Sequence, residues 1–207
     1  KHIHRRFAEW YKEITGLELD EIKLKEIVDS YFASLYQRAD RILARYPHTL
    51  FIFSAGNSAQ DNDVSHHFPS RIRRPHVISV AALNGEYLAS FSNWGHSSVD
   101  VAAPGVGVMS VIPTVYAQQT GLMQTPASGT SMAAPHVANL AARCLQMNKE
   151  LTGAELKRIL LETGDVLGAL VGRTTSGRGV NSERALKAAQ LTKELALEEA
   201  IRLALSP

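Results

Sequence analysis

The amino-acid sequence predicts an α/β fold, a layered sandwich of helices around a mostly parallel sheet. Three observations predict it. Short, mostly apolar runs occur at residues 50–53, 77–82 and 99–103, the texture of strands buried on both faces of a parallel sheet. Segments with apolar residues every third or fourth position precede and follow them. The two textures alternate along the chain, the pattern from which α/β layers are built.

Each element can be justified in order. Phe7, Trp10, Tyr11 and Ile14 fall at helical spacing, and Gly16 stops that helix. Leu24, Ile27, Val28, Tyr31, Phe32, Leu35, Ala39, Ile42 and Leu43 form one apolar helix face, ended by Pro47. Leu50-Phe51-Ile52-Phe53 is the first buried strand, and it leads into Ser54-Ala55-Gly56-Asn57. Residues 58–76 are polar without a hydrophobic period and read as a loop. Strands follow at 77–82 and 99–103, the latter stopped by Pro104-Gly105. Residues 106–114 read as strand or hairpin, and a polar loop runs on through Pro126. Residues 131–147 are an Ala- and Leu-rich helix. Thr152-Gly153-Ala154-Glu155 is a capping box that opens another helix. Gly177-Arg178-Gly179 marks a turn or a close backbone approach. Asn181 or Ser182 then caps one long terminal helix through Ile201. The organisation is thus a helical lead-in with an insertion (1–46), the body of the domain (47–190) and a terminal helix extension (191–207).

Composition excludes several classes. The net charge is +2 over 207 residues, so nothing calls for a nucleic-acid partner or an acidic membrane surface. Arg71, Arg73 and Arg74 read as a solvated loop. No apolar run reaches the length of a membrane span, and no signal-peptide pattern is present. Cys144 is the single cysteine, so an intrachain disulfide is impossible, and the redox compartment stays open. His2/His4 and His66/His67 are the close histidine pairs, too few for a metal site without a third ligand.

The chemistry lies at Gly129-Thr130-Ser131. A serine in the first turn of a helix has an exposed hydroxyl beside backbone N–H groups that lack intrahelical acceptors. Those donors and the helix dipole favour an oxyanion formed when the hydroxyl attacks a carbonyl. Gly129 lets substrate approach. Taken alone, a serine there reads first as a helix cap, and Asn57 reads first as a turn residue after Gly56.

Residues 128–138, Ser-Gly-Thr-Ser-Met-Ala-Ala-Pro-His-Val-Ala, resemble the nucleophile motif of the subtilase family of serine proteases. Ser54-Ala55-Gly56-Asn57 resembles the strand that brings that family's oxyanion asparagine to the active site. The segments 89–95 and 99–105 and the end from Gly179 to Leu186 are similar to further family segments, in family order. The resemblance implies the C-terminal part of a three-layer, subtilisin-like sandwich that hydrolyses peptide bonds through an acyl-enzyme. Ser131 would be the nucleophile, and Asn57 with the Ser131 N–H would stabilise the oxyanion. Losing that asparagine costs such enzymes ~10²–10³ in turnover. Ser54, Ala55, Gly56, Gly129 and Thr130 would bind substrate. Phe68-Pro69 resembles the aromatic-Pro pair below the pocket for the residue before the scissile bond. His67 would then stand where the family has a small residue and make that pocket shallow or polar. The preferred reading of His67 is a surface-loop histidine, because the Asp61–Arg74 loop can shift that register by several residues. Asn139 replaces a glycine common in the family.

The resemblance also defines what this chain lacks. The family's Asp-Ser/Thr-Gly and His-Gly-Thr motifs and its Ser-x-Gly substrate strand do not occur in the sequence. Without a general base Ser131 is a poor nucleophile, and the chain alone is expected to be inactive. The expectation is therefore that Lys1 arises by cleavage in a loop. An N-terminal fragment of the same protease would stay associated and supply Asp and His. A catalytically inactive binding or regulatory protein on the same fold is the alternative. No cofactor is evident. Calcium and export from the cell are family habits, although Asp61-Asn62-Asp63 reads as a polar loop.

Overall fold

The computed structural model describes residues 2–206, with side chains from residue 5 onward. The histidine pair His2/His4 therefore lies outside the described side chains. The chain divides into two compact units, Lys1–Arg45 and Tyr46–Pro207.

The first unit holds two helices, α1 (His2–Thr15) and α2 (Glu21–Leu43). Gly16 ends α1 in the left-handed region at φ 71°, the conformation a side chain would resist. Asp20 caps α2 by accepting from the Lys23 N–H. On the apolar face of α2, Val28, Phe32 and Leu43 are buried, whereas Ile27, Tyr31 and Ile42 are exposed.

The second unit is built on a mostly parallel sheet. Its strands are β1 (Phe51–Ser54), β2 (Val77–Asn84), β3 (Tyr87–Leu88) and β4 (Val101–Pro104). The hairpin strands β5 (Val108–Val111) and β6 (Gln124–Ala127) flank α3 (Thr114–Thr120). Then come α4 (Thr130–Met147), α5 (Gly153–Glu162), β7 (Asp165–Val166), β8 (Arg178–Gly179), α6 (Ser182–Leu191) and α7 (Leu197–Leu205). The spatial order is β1-β2-β4-β8-β7, parallel from β1 to β8, with β3 folding back on β2. Ile52 pairs with Ile78, and Val80 with Val101.

Strand alternation divides the core in two. Ile78, Val80, Ala82, Val101 and Ala103 face α4, α5 and α6, where they meet Ala133, Val137, Leu140, Ile159 and Ala185. Each fully buried large side chain there, such as Ile78 or Ile159, stabilises by about 1.5–3 kcal/mol. The opposite face carries a smaller cluster of Ala55, Ala81, Leu83, Ala102 and Leu170. The Thr152–Glu155 capping box forms as expected. In the sheet order β1 is terminal, and its residues are only half-buried where β2 is buried from Val77 to Leu83.

Asp100 explains a charge inside an apolar run. Its buried carboxylate accepts from the Ser79 N–H at 2.7 Å and pairs with Arg73 and Lys157, each at 2.9 Å. Lys157 also donates to the Val77 carbonyl, so the network fastens α5 to the sheet. The arginine cluster is accordingly not just a solvated loop. Arg73 neutralises Asp100, and Arg71 donates to the Ser65 and Asp63 carbonyls.

Two further expectations change. The polar stretch before Pro126 is not a loop: β6 returns antiparallel to β5, with α3 at the tip. The terminal helix is two helices. After Leu191 the Thr192 hydroxyl donates to the Ala189 carbonyl and accepts from Asn148 Nδ2, ending α6. A new helix begins at Leu197 with Glu198 and Glu199 in its first turn, where the macrodipole favours them.

Candidate active site

The site forms where two loop-to-element junctions meet. β1 continues its ladder through the Ala55 N–H to the Val80 carbonyl at 2.9 Å, then turns at Gly56. Gly56 has φ +110°, and a Cβ there would stand 2.3 Å from His67 Nε2 and 2.6 Å from Asn93 Nδ2. Only glycine fits, on both counts. The turn releases Asn57 toward the start of α4.

Asn57 is held by its oxygen. Oδ1 accepts from both the Thr130 N–H and the Thr130 hydroxyl, each at 2.9 Å. The same hydroxyl accepts from the buried Gly56 N–H at 3.0 Å. With Oδ1 spoken for, the amide flip is fixed and Nδ2 is turned toward Gly129. A Cβ on Gly129 would lie 3.2 Å from Asn57 Nδ2 and 3.7 Å from Ser131 N. Two hydrogen-bond donors therefore flank the bare Gly129 backbone. Ser131 itself is exposed.

The start of α4 accounts for the remaining donors. The Met132 and Ala133 N–H groups both return to the Gly129 carbonyl, and Thr130 N–H goes to Asn57, while among the described residues no acceptor faces the Ser131 N–H. Pro135 lies inside α4, past its first turn, and has no N–H to close onto the Ser131 carbonyl, so one intrahelical bond is missing beside the site. The turn is welded to the sheet by Gly129 N–H to the Gly105 carbonyl at 2.8 Å, and Ser128 Oγ accepts from Gly107 N–H.

Of the residues singled out in the sequence, Asn57, Gly129 and Ser131 come together here. Ala55 and Gly56 are buried and Ser54 half-buried, so they offer mainly backbone. The Thr130 side chain is fully buried and engaged with Gly56 and Asn57, where it positions the asparagine. His67 is not a free surface-loop residue: its ring packs on Gly56, and burial pushes its imidazolium pKa down. His136 lies exposed on α4, and among the described residues Ser131 Oγ has no histidine partner.

Two asparagines have a positioning role that the sequence does not disclose. Asn93, fully buried, accepts from the Ser58 and Gln60 N–H groups and donates to Asn62 Oδ1. Asn62, equally buried, donates to the Ala55 carbonyl and to Ser70 Oγ. Together they brace the loop that carries Asn57. The sole signal was their position in family-like or Asx-rich segments. In Asp61-Asn62-Asp63, Asn62 is used by the brace, Asp61 accepts from the Asp63 N–H, and Asp63 accepts from the Ser97 N–H. Burial raises the Asp63 carboxyl, but hydrogen bonds from Ser98 and Ser97 outweigh it and hold the pKa below the ordinary value. Among the described residues no group of three His, Cys, Asp or Glu side chains could hold a metal.

A protein-family model described as the subtilase family matches residues 23–188. The chain belongs to the subtilase family. Its similar proteins include "Subtilisin-like protease 2" of Plasmodium falciparum, 35% identical over 144 residues, covering 67% of this chain and 10% of that protein. "Alkaline elastase YaB" of a Bacillus species is 34% identical over 139 residues, covering 67% of this chain and 33% of that protein. Among solved structures, one of proteases from Pseudoalteromonas arctica superposes with a TM-score of 0.59 at 30% identity, covering 74% of this chain and 46% of that one. One described under subtilase cytotoxin SubAB assembly gives a TM-score of 0.60 at 24% identity, covering 90% and 56%, and carries the likeness of fold alone. The chain thus spans a third or less of these two curated subtilases and about half of the solved chains. No described helix is long and apolar enough to cross a membrane.

Proposed function

We propose that this chain carries half of a serine endopeptidase active site: Ser131 as nucleophile, and Asn57 Nδ2 with the Ser131 N–H as oxyanion donors. One observation carries the reading. Thr130 locks Asn57 by its oxygen, so that Nδ2 and the free Ser131 N–H flank the same bare backbone at Gly129.

The chemistry follows from that placement. Ser131 Oγ attacks the peptide carbonyl as its proton passes to a histidine. The negative charge that builds on the carbonyl oxygen is met by the two preset donors, which need no reorganisation. Collapse expels the amine, which takes the proton from the histidine, and leaves an acyl-enzyme on Ser131. Water then repeats the sequence and releases the acid. The histidine and the aspartate that orients it come from an N-terminal portion of the same protease, because the motifs that would hold them do not occur in these 207 residues. The terminal, half-buried β1 supports this, since further strands would pair along its outer edge.

The test is labelling with a serine-reactive fluorophosphonate. Labelling at Ser131 is expected in native material that holds the N-terminal portion, and is expected to be near zero in this chain alone. Native material that never labels would transfer the reading to an inactive binding protein on the same fold.

A further inference from the structure

The hairpin that runs into the Ser131 turn carries its larger apolar side chains on the outside. β5 and β6 pair antiparallel, with Met109 opposite Pro126 and Val111 opposite Gln124. Side chains alternate across a strand, so these four share one face, and Val108, Ser110, Thr125 and Ala127 share the other. All four positions of the first face are exposed, Val111 by 74%, whereas Val108, Thr125 and Ala127 are half-buried. A half-solvated antiparallel pair ordinarily does the reverse, apolar in and polar out. A slip of one residue would exchange the two faces, so the register holds Met109 and Val111 in the open.

The tip extends the same surface. α3 buries none of its residues and exposes Val115 and Tyr116, and Leu122 and Met123 stand exposed beyond the left-handed turn at Gly121. Charged side chains make up 20% of the chain, yet residues 106–127 contain none. The absence of charge selects the occupant. A protein partner is steered and held in register by complementary charges, and this hairpin has none to offer. An anionic bilayer recruits segments rich in Lys and Arg, which are equally missing. A zwitterionic bilayer carries no net charge to match. Its headgroup boundary accepts apolar side chains, suits the amphipathic ring of a tyrosine, and adapts to groups that leave one tip in several directions.

We propose that the β5–β6 hairpin, with α3 at its tip, docks on a zwitterionic lipid bilayer. Met109, Val111, Val115, Tyr116, Leu122 and Met123 enter the headgroup boundary, and the amides of Gln118, Gln119 and Gln124 stay among the headgroups. The base of the hairpin is fixed to the Ser131 turn by the Gly129 N–H bond to the Gly105 carbonyl and the Gly107 N–H bond to Ser128 Oγ. A strand of four residues spans about 13 Å, so docking brings Ser131 within reach of polypeptide at the bilayer surface. That last consequence rests on Ser131 as nucleophile; the docking itself does not.

The test is co-sedimentation of the native, full-length protease with vesicles of phosphatidylcholine alone, read as protein in the pellet without any turnover. The wild type is expected to bind, and raising the salt from about 0.1 to 1 M should not weaken it, because no charge pair is screened. Val111→Asp and Met123→Asp, both at exposed positions, should each lower the partition coefficient at least about tenfold. Tyr87→Asp, equally exposed but on β3, should bind as wild type does. Circular dichroism in urea checks that the variants fold alike. Wild type left in the supernatant, binding that salt abolishes, or aspartate variants that pellet like wild type would overturn the proposal. So would a dimer in gel filtration that Val111→Asp and Met123→Asp make monomeric with no vesicle binding, since the face would then belong to a second copy of the chain. Enzyme that binds vesicles while fluorophosphonate never labels Ser131 would uphold the docking and sink the active-site assignment, so the two readings fail separately.

Discussion

Replacing Thr130 by valine removes a hydroxyl and keeps the shape, and the structure says what each lost bond is worth. The Gly56 N–H, buried and 3.0 Å from Thr130 Oγ1, loses its acceptor. An orphaned buried donor costs about 1–3 kcal/mol. Asn57 Oδ1 loses the hydroxyl but keeps the Thr130 N–H, and it sits on an exposed residue where water can replace the bond at little cost. The added methyl carbon is buried at a fully inaccessible site and returns up to about 0.8 kcal/mol. The net expectation is a loss of about 0.2–3 kcal/mol in urea unfolding followed by circular dichroism. Thr130→Ser keeps both bonds and loses a buried methyl, about 1 kcal/mol, so stability alone does not separate the two variants. Turnover does: the valine variant leaves Asn57 held by one bond and should fall about tenfold in kcat, while the serine variant should hold near wild type. If Thr130→Val unfolds within 0.5 kcal/mol (roughly the error of such measurements) of wild type and turns over normally, the hydroxyl does not position Asn57 and the reasoning fails.

Asn57→Ala in the native enzyme should lower kcat by about 10²–10³ with KM changed far less, and equal losses in both would misassign the oxyanion donor. Cys144 is fully buried, and burial, opposed weakly by Arg143, pushes its thiol pKa up to about 11. It should resist iodoacetamide in the folded state and react on adding denaturant; rapid alkylation of folded protein would contradict its placement. Burial also holds the His67 imidazolium pKa below its ordinary 6.5. Above that pH the ring is neutral in both states; as pH falls through it, the unfolded chain binds a proton that the folded one resists, so stability declines toward acid. His67→Gln should flatten that decline in urea titrations at stepped pH, and an unaltered acid limb would show that another group governs it.

What the sequence could disclose was set by how local each interaction is. The Thr152–Glu155 capping box spans three residues and is legible as spelled. The turn that holds the proposed nucleophile is equally local, so residues 128–138 resemble the family's motif without any knowledge of the fold. The bonds that aim Asn57 join residues 73 and 74 positions apart, and no periodicity or motif encodes such a pairing. That is why Thr130 reads as a substrate contact when its side chain is buried, and why Asn62 and Asn93 read as turn or motif asparagines when both are buried braces. The break between α6 and α7 was hidden for the same reason: the Asn148 bond to Thr192 comes from 44 residues away.

His67 shows the limit from the other side. Composition makes it a histidine in a polar loop, and the loop's register decides whether such a residue faces water or the turn at Gly56. The readable half of that contact is Gly56, because a glycine at φ +110° that cannot accept a Cβ implies that something close must lie on its open face. A missing side chain after the strand is therefore one trace of the ring that packs against it. It also means the two positions cannot be varied independently: Gly56→Ala must displace His67 or Asn93, and a substitution that shrinks His67 removes one of the two clashes while Asn93 Nδ2 at 2.6 Å remains. The pair His67→Ala/Gly56→Ala should thus remain destabilised where His67→Ala alone folds, which separates a ring that merely covers Gly56 from a wall that Asn93 also defines.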